Sequence, residues 1–193
     1  MSYFIGIDPS FTRTGLALIK EDPLDSSAVV VEVSSISAED TEVNKYQLEC
    51  TLPASRHLAN DIVSRVSAWC SVYPVEAVVV EYPVLASRSG AYLGLIQQAL
   101  FDCYDRLVAP VLSVPSTAIK SLSKYKTKSQ LVNWCKEKYK YECETIRRGR
   151  WCVNHDECSA IVLAHIAYLI RTGKYARSFK KFHIPEQSWL NKM

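Results

Sequence analysis

The chain is 193 residues long, 48% hydrophobic and 22% charged, with a formal net charge of +3. That length suits one domain burying about two-thirds of its unfolded surface, enough to hold a rigid site without disulfide staples. No run of about 18 apolar residues is present to cross a bilayer, and the N-terminus lacks the basic, apolar and small-residue succession of a secretory leader; no membrane association and a cytoplasmic or other reducing compartment are the expectation.

Tyr3 to Asp8 and Gly15 to Lys20 read as two strands joined by the turn-forming stretch Pro9 to Thr14, and Ser27 to Ser35 supplies a third. Ile36 to Leu52 is polar and without period, so it reads as a loop. Leu58, Ile62, Val66 and Trp69 then recur at helical spacing, with Arg56, Asp61 and Arg65 off that face. Ala77 to Glu81 is a short continuous apolar run, the pattern of a strand buried on both faces of a sheet. Ser87 to Tyr104 reads as a helix whose Gly90 and Gly94 form a smooth strip for close packing. Pro110 to Val114 is a fifth strand, Ser129 to Tyr139 a further helix. The last helix starts at Asn154, with Glu157 placed to complete a capping box, and ends near Gly173. The order predicts an α/β fold, a mixed five-stranded sheet flanked by helices.

Charge is unevenly placed. Pro115 to Arg150 holds ten Lys or Arg against three Glu, Arg171 to the end six against one, and the remainder is acidic. Such a chain suits a polyanion gripped by one part and acted on by another, although solvated loops would give the same count. The seven cysteines are odd in number and contain no Cys-x-x-Cys pair, which argues against a disulfide framework. Cys143, Cys152, His155 and Cys158 lie close enough in sequence to raise a zinc site, but their spacing fits no finger or ribbon and a buried Cys158 is the better reading.

Three acids carry the chemistry: Asp8 ends the first strand, Glu81 ends the buried strand, and Asp156 opens the last helix. Carboxylates at such places are hard oxygen ligands suited to Mg²⁺ or Mn²⁺, and two ions about 3.5 to 4 Å apart can clamp the attacking and leaving oxygens of a phosphodiester. Each also has a plainer reading. Asp8-Pro9 is a common turn opening, Glu81 can be a strand end at the surface, and Asp156 in a first helical turn is favoured by the helix dipole alone.

The run Gly6-Ile7-Asp8-Pro9-Ser10 with Thr14-Gly15, then Val78-Val79-Val80-Glu81, Val114-Pro115-Ser116 with Lys120, and Asp156 to Ala160 resembles the RuvC family of Holliday-junction resolvases, in the RNase H-like superfamily. The resemblance covers nearly the whole chain. It implies an RNase H-like nuclease domain over 1–173 with a basic tail over 174–193. It also implies a crossover junction endodeoxyribonuclease, a homodimer that cuts four-way DNA by paired metal-dependent hydrolysis, leaving 5′-phosphate and 3′-hydroxyl ends. Asp8, Glu81 and Asp156 would be catalytic ligands of two Mg²⁺ or Mn²⁺ ions per subunit, and Lys120 would meet the DNA backbone.

The family places a further acid three residues after the helix acid, where this chain has Ser159; a water held by Ser159, or Glu157 or His155, would substitute, or one ion would bind loosely. The family's wedge aromatic after the glutamate is also missing, and Val84-Leu85 stands there, leaving Tyr82 as the candidate to stack on DNA. Lys124, Lys126 and Lys128 join Lys120 as candidate phosphate contacts. Gly90 and Gly94 are expected at the dimer-packing helix. Two other readings stand beside junction resolution: an RNase H-like nuclease on another branched or hybrid substrate, and a catalytically weak module that only binds DNA. A sugar-kinase or actin-like ATPase shares the first motif but needs two such domains around its cleft, more than this length provides.

Overall fold

The structure, a computed structural model, describes residues 1–10, 13–22, 24, 27–37, 52–82, 109–142, 144–147 and 150–174. The predicted helix over Ser87 to Tyr104, with Gly90 and Gly94, and the tail from 175 onward lie outside the described residues. No described helix is long and apolar enough to cross a membrane.

Strands β1 (Tyr3–Asp8), β2 (Arg13–Glu21), β3 (Ala28–Ser37), β4 (Val75–Tyr82) and β5 (Val111–Pro115) form one sheet in the order β3-β2-β1-β4-β5. The first three pair antiparallel, while β4 runs parallel to both β1 and β5, so the sheet is mixed as expected. The β1–β2 turn is closed by Thr14, which is fully buried; its hydroxyl accepts from the Ser10 N–H at 3.2 Å and donates to the Ser10 carbonyl at 3.1 Å.

Alternation along the strands divides two cores. Ile5, Ile7, Leu16, Leu18, Val78 and Val80 face α1 (Leu52–Val72), which answers with Leu58, Ala59, Ile62, Val63, Val66 and Trp69, the predicted stripe widened by its neighbours. Phe4, Ala17, Ile19, Ala77, Val79 and Val114 face the other way, against α4 (His155–Arg171). Because Asp8 follows Phe4 and Gly6, and Glu81 follows Ala77 and Val79, at intervals of two, both acids belong to the face that α4 covers.

Helix α4 is buried almost all round, from Cys158 to Tyr168, so it is an interior helix and not the one-sided helix that Ala160, Ile161, Ala164, Ala167 and Tyr168 alone would suggest. Its outer side is covered by α2 (Ser116–Ser123) and α3 (Lys128–Tyr139) through residues such as Ile119, Leu131 and Cys135. Helix α2 and a short hairpin, β6 (Glu144–Arg147) with β7 (Arg150–Val153), have no counterpart in the sequence-based prediction. The strand β3 runs on through Ile36, which pairs with Thr14, and α1 already includes Leu52, so the expected loop is shorter at both ends.

Candidate active site

Register brings the first two acids together. Ile7 pairs with Val80 across the parallel β1–β4 ladder, which puts Asp8 and Glu81 side by side where the two strands end. The third acid is brought in by glycine. Gly15 is the register partner of Asp8 on β2, and a Cβ built on Gly15 would stand 2.1 Å from the Asp156 carbonyl oxygen. A Cβ on Gly6 would stand 2.0 Å from the Ala160 carbonyl oxygen. Only bare backbone at both positions lets the start of α4 lie directly on β1 and β2. Asp156 is thereby held over the ends of these strands.

The result is a crowd of like charges. Burial, the neighbouring Glu81 charge and a hydrogen bond with Glu81, and then the Asp156 charge, push the Asp8 carboxyl well above the usual carboxylate range; the Ser159 hydroxyl, donating to Asp8, partly offsets this. Glu81 is also raised, by burial first and by Asp156, while its hydrogen bond with Asp8 and the charge of Lys120 pull it down. Two carboxyls in hydrogen-bond contact can be accommodated only if they share a proton or a cation neutralises them.

Asp156 also pairs with its neighbour on the helix. Its Oδ1 lies 3.1 Å from His155 Nε2, and the same ring nitrogen is contacted by Lys128 Nζ. One imidazole nitrogen can donate to the carboxylate or accept from the ammonium, not both, so this contact is poorly satisfied. Among the described residues no three His, Cys, Asp or Glu side chains stand in a ready-made metal-ligand arrangement. The donor set nevertheless fits a hard divalent cation: three carboxylates and the Ser159 hydroxyl are all oxygen, and the raised Asp8 and Glu81 carboxyls are what crowded acids without a cation become.

The other sequence candidates are placed as follows. Glu157 does not cap α4: its Oε2 accepts from the Tyr141 hydroxyl at 2.7 Å, and Asn154, only 3% exposed, makes no side-chain cap bond. The expected capping box is thus absent, because Tyr141 draws Glu157 sideways. Both side-chain polar atoms of Asn154 are buried without a partner. Lys120 lies on the last turn of α2, close enough for its charge to act on Glu81. Lys124 is the left-handed C-cap of α2 at φ 54°, Lys126 lies in the connection, and Lys128 opens α3. The four lysines therefore turn a corner instead of forming one stripe. Tyr82 is 44% exposed at the end of β4. Of the suggested zinc ligands, Cys158 is fully buried in the α4 core, with the Cys135 thiol donating to its carbonyl; Cys143 and the Cys152 side chain lie outside what is described.

One residue was missed. The hydroxyl of half-buried Tyr125 is pushed up to about 12, by burial first and then by the charges of Glu81 and Asp8, which places it against the acidic cluster. Its loop is fixed by the capping box of α3, in which Thr127 and Gln130 bond reciprocally and Gln130 also accepts from the Lys126 N–H at 2.7 Å. In the sequence Tyr125 is one aromatic among lysines, and only the corner between α2 and α3 turns it toward the strand ends.

No protein-family model matches the sequence, and no curated protein matches it. The fold does match solved structures. RuvC from Thermus thermophilus superposes with a TM-score of 0.64 at 16% identity, covering 89% of this chain and 96% of that one. The T. thermophilus RuvC solved in complex with a Holliday junction substrate gives 0.63 at 16%, covering 90% and 97%. At that identity the likeness establishes architecture: the chain has the RNase H-like fold in the form seen in RuvC.

Proposed function

We propose that this protein is a divalent-metal-dependent endodeoxyribonuclease that resolves four-way DNA junctions, acting as a homodimer in a reducing, DNA-containing compartment. The observation that carries the reading is the convergence of Asp8, Glu81 and Asp156 at one end of a RuvC-like sheet, where burial first and neighbouring acid charge second raise Asp8 and Glu81. The nuclease unit is assigned to 1–173 and the basic tail to 174–193.

In this reading Asp8, which accepts from Ser159, would hold Mg²⁺ or Mn²⁺ together with Glu81 and Asp156. When bound, such ions activate a water and offset charge on the leaving oxygen of a phosphodiester, giving 5′-phosphate and 3′-hydroxyl ends. The chain's own residues do the rest. Asp8 and Glu81 would act as ligands in their deprotonated forms, Asp156 with His155 at its side would complete the set, and Lys120, beside Glu81, holds the scissile phosphate. Lys124, Lys126 and Lys128 grip the strand around the corner they form, and exposed Tyr82 offers a ring to an unpaired base. Glu157, held by Tyr141, stays out of the ligand set.

One observation favours a second reading, a weakly catalytic DNA-binding module: Asp156 is engaged by His155, and Ser159 supplies no charge where a further acid would. Nicking of a four-way junction in Mg²⁺ or Mn²⁺ separates the two. The nuclease reading expects symmetric nicks that Asp8→Asn reduces by about a thousandfold or more, a loss on the scale of removing a transition-state charge stabiliser. Binding without nicks in either metal would leave only the module.

A further inference from the structure

The far end of α4 holds a cleft of about 530 Å³ between the start of β3, the end of α3 and the residues that follow α4. Lys138, Lys140 and Lys174 stand around it, with Tyr139, Tyr168 and His165 among its walls, and no Asp or Glu is among the described residues that line it. At 1.5 Å per residue, the twelve residues from Asp156 to Tyr168 put it about 18 Å from the acidic cluster.

This cleft is built, not a scatter of surface lysines. The Lys174 ammonium donates to the Tyr168 hydroxyl at 2.6 Å and stands 4.9 Å from the centre of its ring, while the Lys138 ammonium lies 5.3 Å from the Trp134 ring centre. His165, 5% exposed, is bonded through Nδ1 to the Tyr139 hydroxyl at 2.5 Å and packs on Tyr168 at 5.5 Å. Burial first, then the charges of Lys138 and Lys174, push the imidazole down to about 3, so it is neutral at physiological pH. Burial likewise pulls the Lys138 ammonium below its ordinary value. Positive groups focused in a partly desolvated cleft, with no carboxylate among its described lining residues, raise the local concentration of anions. Lysine ammoniums are point-charge binders of phosphate, and the volume lies within the range of small-ligand pockets.

We propose that this cleft is a second anion site, one that takes a phosphate group held by Lys138, Lys140 and Lys174 over the Tyr139–His165 pair. The phosphate can be free, as in pyrophosphate, or carried on a nucleic-acid strand. The site does not depend on the nuclease reading, since none of its residues touches the carboxylate cluster.

The test uses the full chain labelled at histidine, titrated with pyrophosphate and, separately, with a short single-stranded oligonucleotide, following the His165 ring resonances. Saturable shifts are expected below about 10 mM. Lys138→Ala and Lys174→Ala, both at exposed positions, should each weaken binding roughly tenfold. Asp8→Asn should leave it unchanged. Saturation by pyrophosphate identifies a free-phosphate pocket, and saturation by the oligonucleotide alone identifies a nucleic-acid contact. Absence of His165 shifts with both ligands, or equal binding by the lysine double variant, overturns the site.

Discussion

At its first turn α4 meets Asp8 and Glu81 and adds Asp156, and these acids outweigh the one lysine whose charge acts on Glu81. Three turns later the same helix meets Lys138 and Lys174 around His165, with no acid among the described lining residues. Between the two lies a buried apolar stretch, Ala160 to Ala164, that carries no charge. The helix dipole suits this division, favouring acids at the N-terminus and ammonium groups near the C-terminus, but by only about 0.3–1 kcal/mol each. It does not offset the crowding of like charge at either end. The contrast teaches that an interior helix can keep an acidic and a basic cluster apart, one at each of its ends.

The comparison is broken most forcefully by moving the helix. Gly15→Ala drives a Cβ into the Asp156 carbonyl, which is backbone and cannot swing away. A loss of about 3 kcal/mol or more is expected in urea denaturation, together with loss of junction nicking. Full stability in that variant would mean that α4 is not seated as described.

Tyr125→Phe sharpens the acidic end by removing one hydroxyl from beside Asp8 and Glu81. A fall in nicking rate of about tenfold is expected, roughly 1.4 kcal/mol, with a melting temperature near that of the wild type. An unchanged rate would reduce Tyr125 to packing.

A smaller effect concerns stability and pH. Asp8 and Glu81 titrate higher in the folded chain than in the unfolded one, so the folded state binds more protons between the two values. Their contribution is full below about pH 4 and is lost as pH rises through the raised folded values. Asp8→Asn should therefore stabilise the metal-free protein at neutral pH, by an amount that grows with pH from about 4 upward and is on the order of 1 kcal/mol. Thermal melts in chelator across pH report this directly. A variant that is less stable than the wild type at pH 8 would contradict the crowded-acid description.

The smallest effect is expected of Glu157→Gln. The amide oxygen can still accept from Tyr141, so stability should change by no more than about 0.5 kcal/mol and nicking should not change. A large loss of activity would return Glu157 to the ligand set.

Much of this was legible in the residue order. Apolar runs ending in Asp8 and Glu81 marked central strands, because only a strand covered on both faces reads as continuous Val and Ile. The start of α4 at Asn154 was legible too, but what its side chains do was not. Glu157 had two partners within reach, its own cap and Tyr141, and sequence contains only the first. Tyr125 and α2 were hidden for a similar reason, since a corner between short helices is set by the core it packs on. Gly6 and Gly15 stood in the motif, yet their use, seating a helix backbone on two strands, emerges only from tertiary contact. The charge excess of Pro115 to Arg150 and of the C-terminal segment was visible as two separate stretches, and folding joins Lys138 to Lys174 across one cleft.

Equilibrium binding of Mn²⁺ to the full chain, in wild-type and Asp8→Asn forms, tests the central claim most directly. Two saturable ions per wild-type chain, with both lost or severely weakened in the variant, is the predicted result. No saturable Mn²⁺, or the same uptake by both proteins, would contradict a cation site at the meeting of β1, β4 and α4.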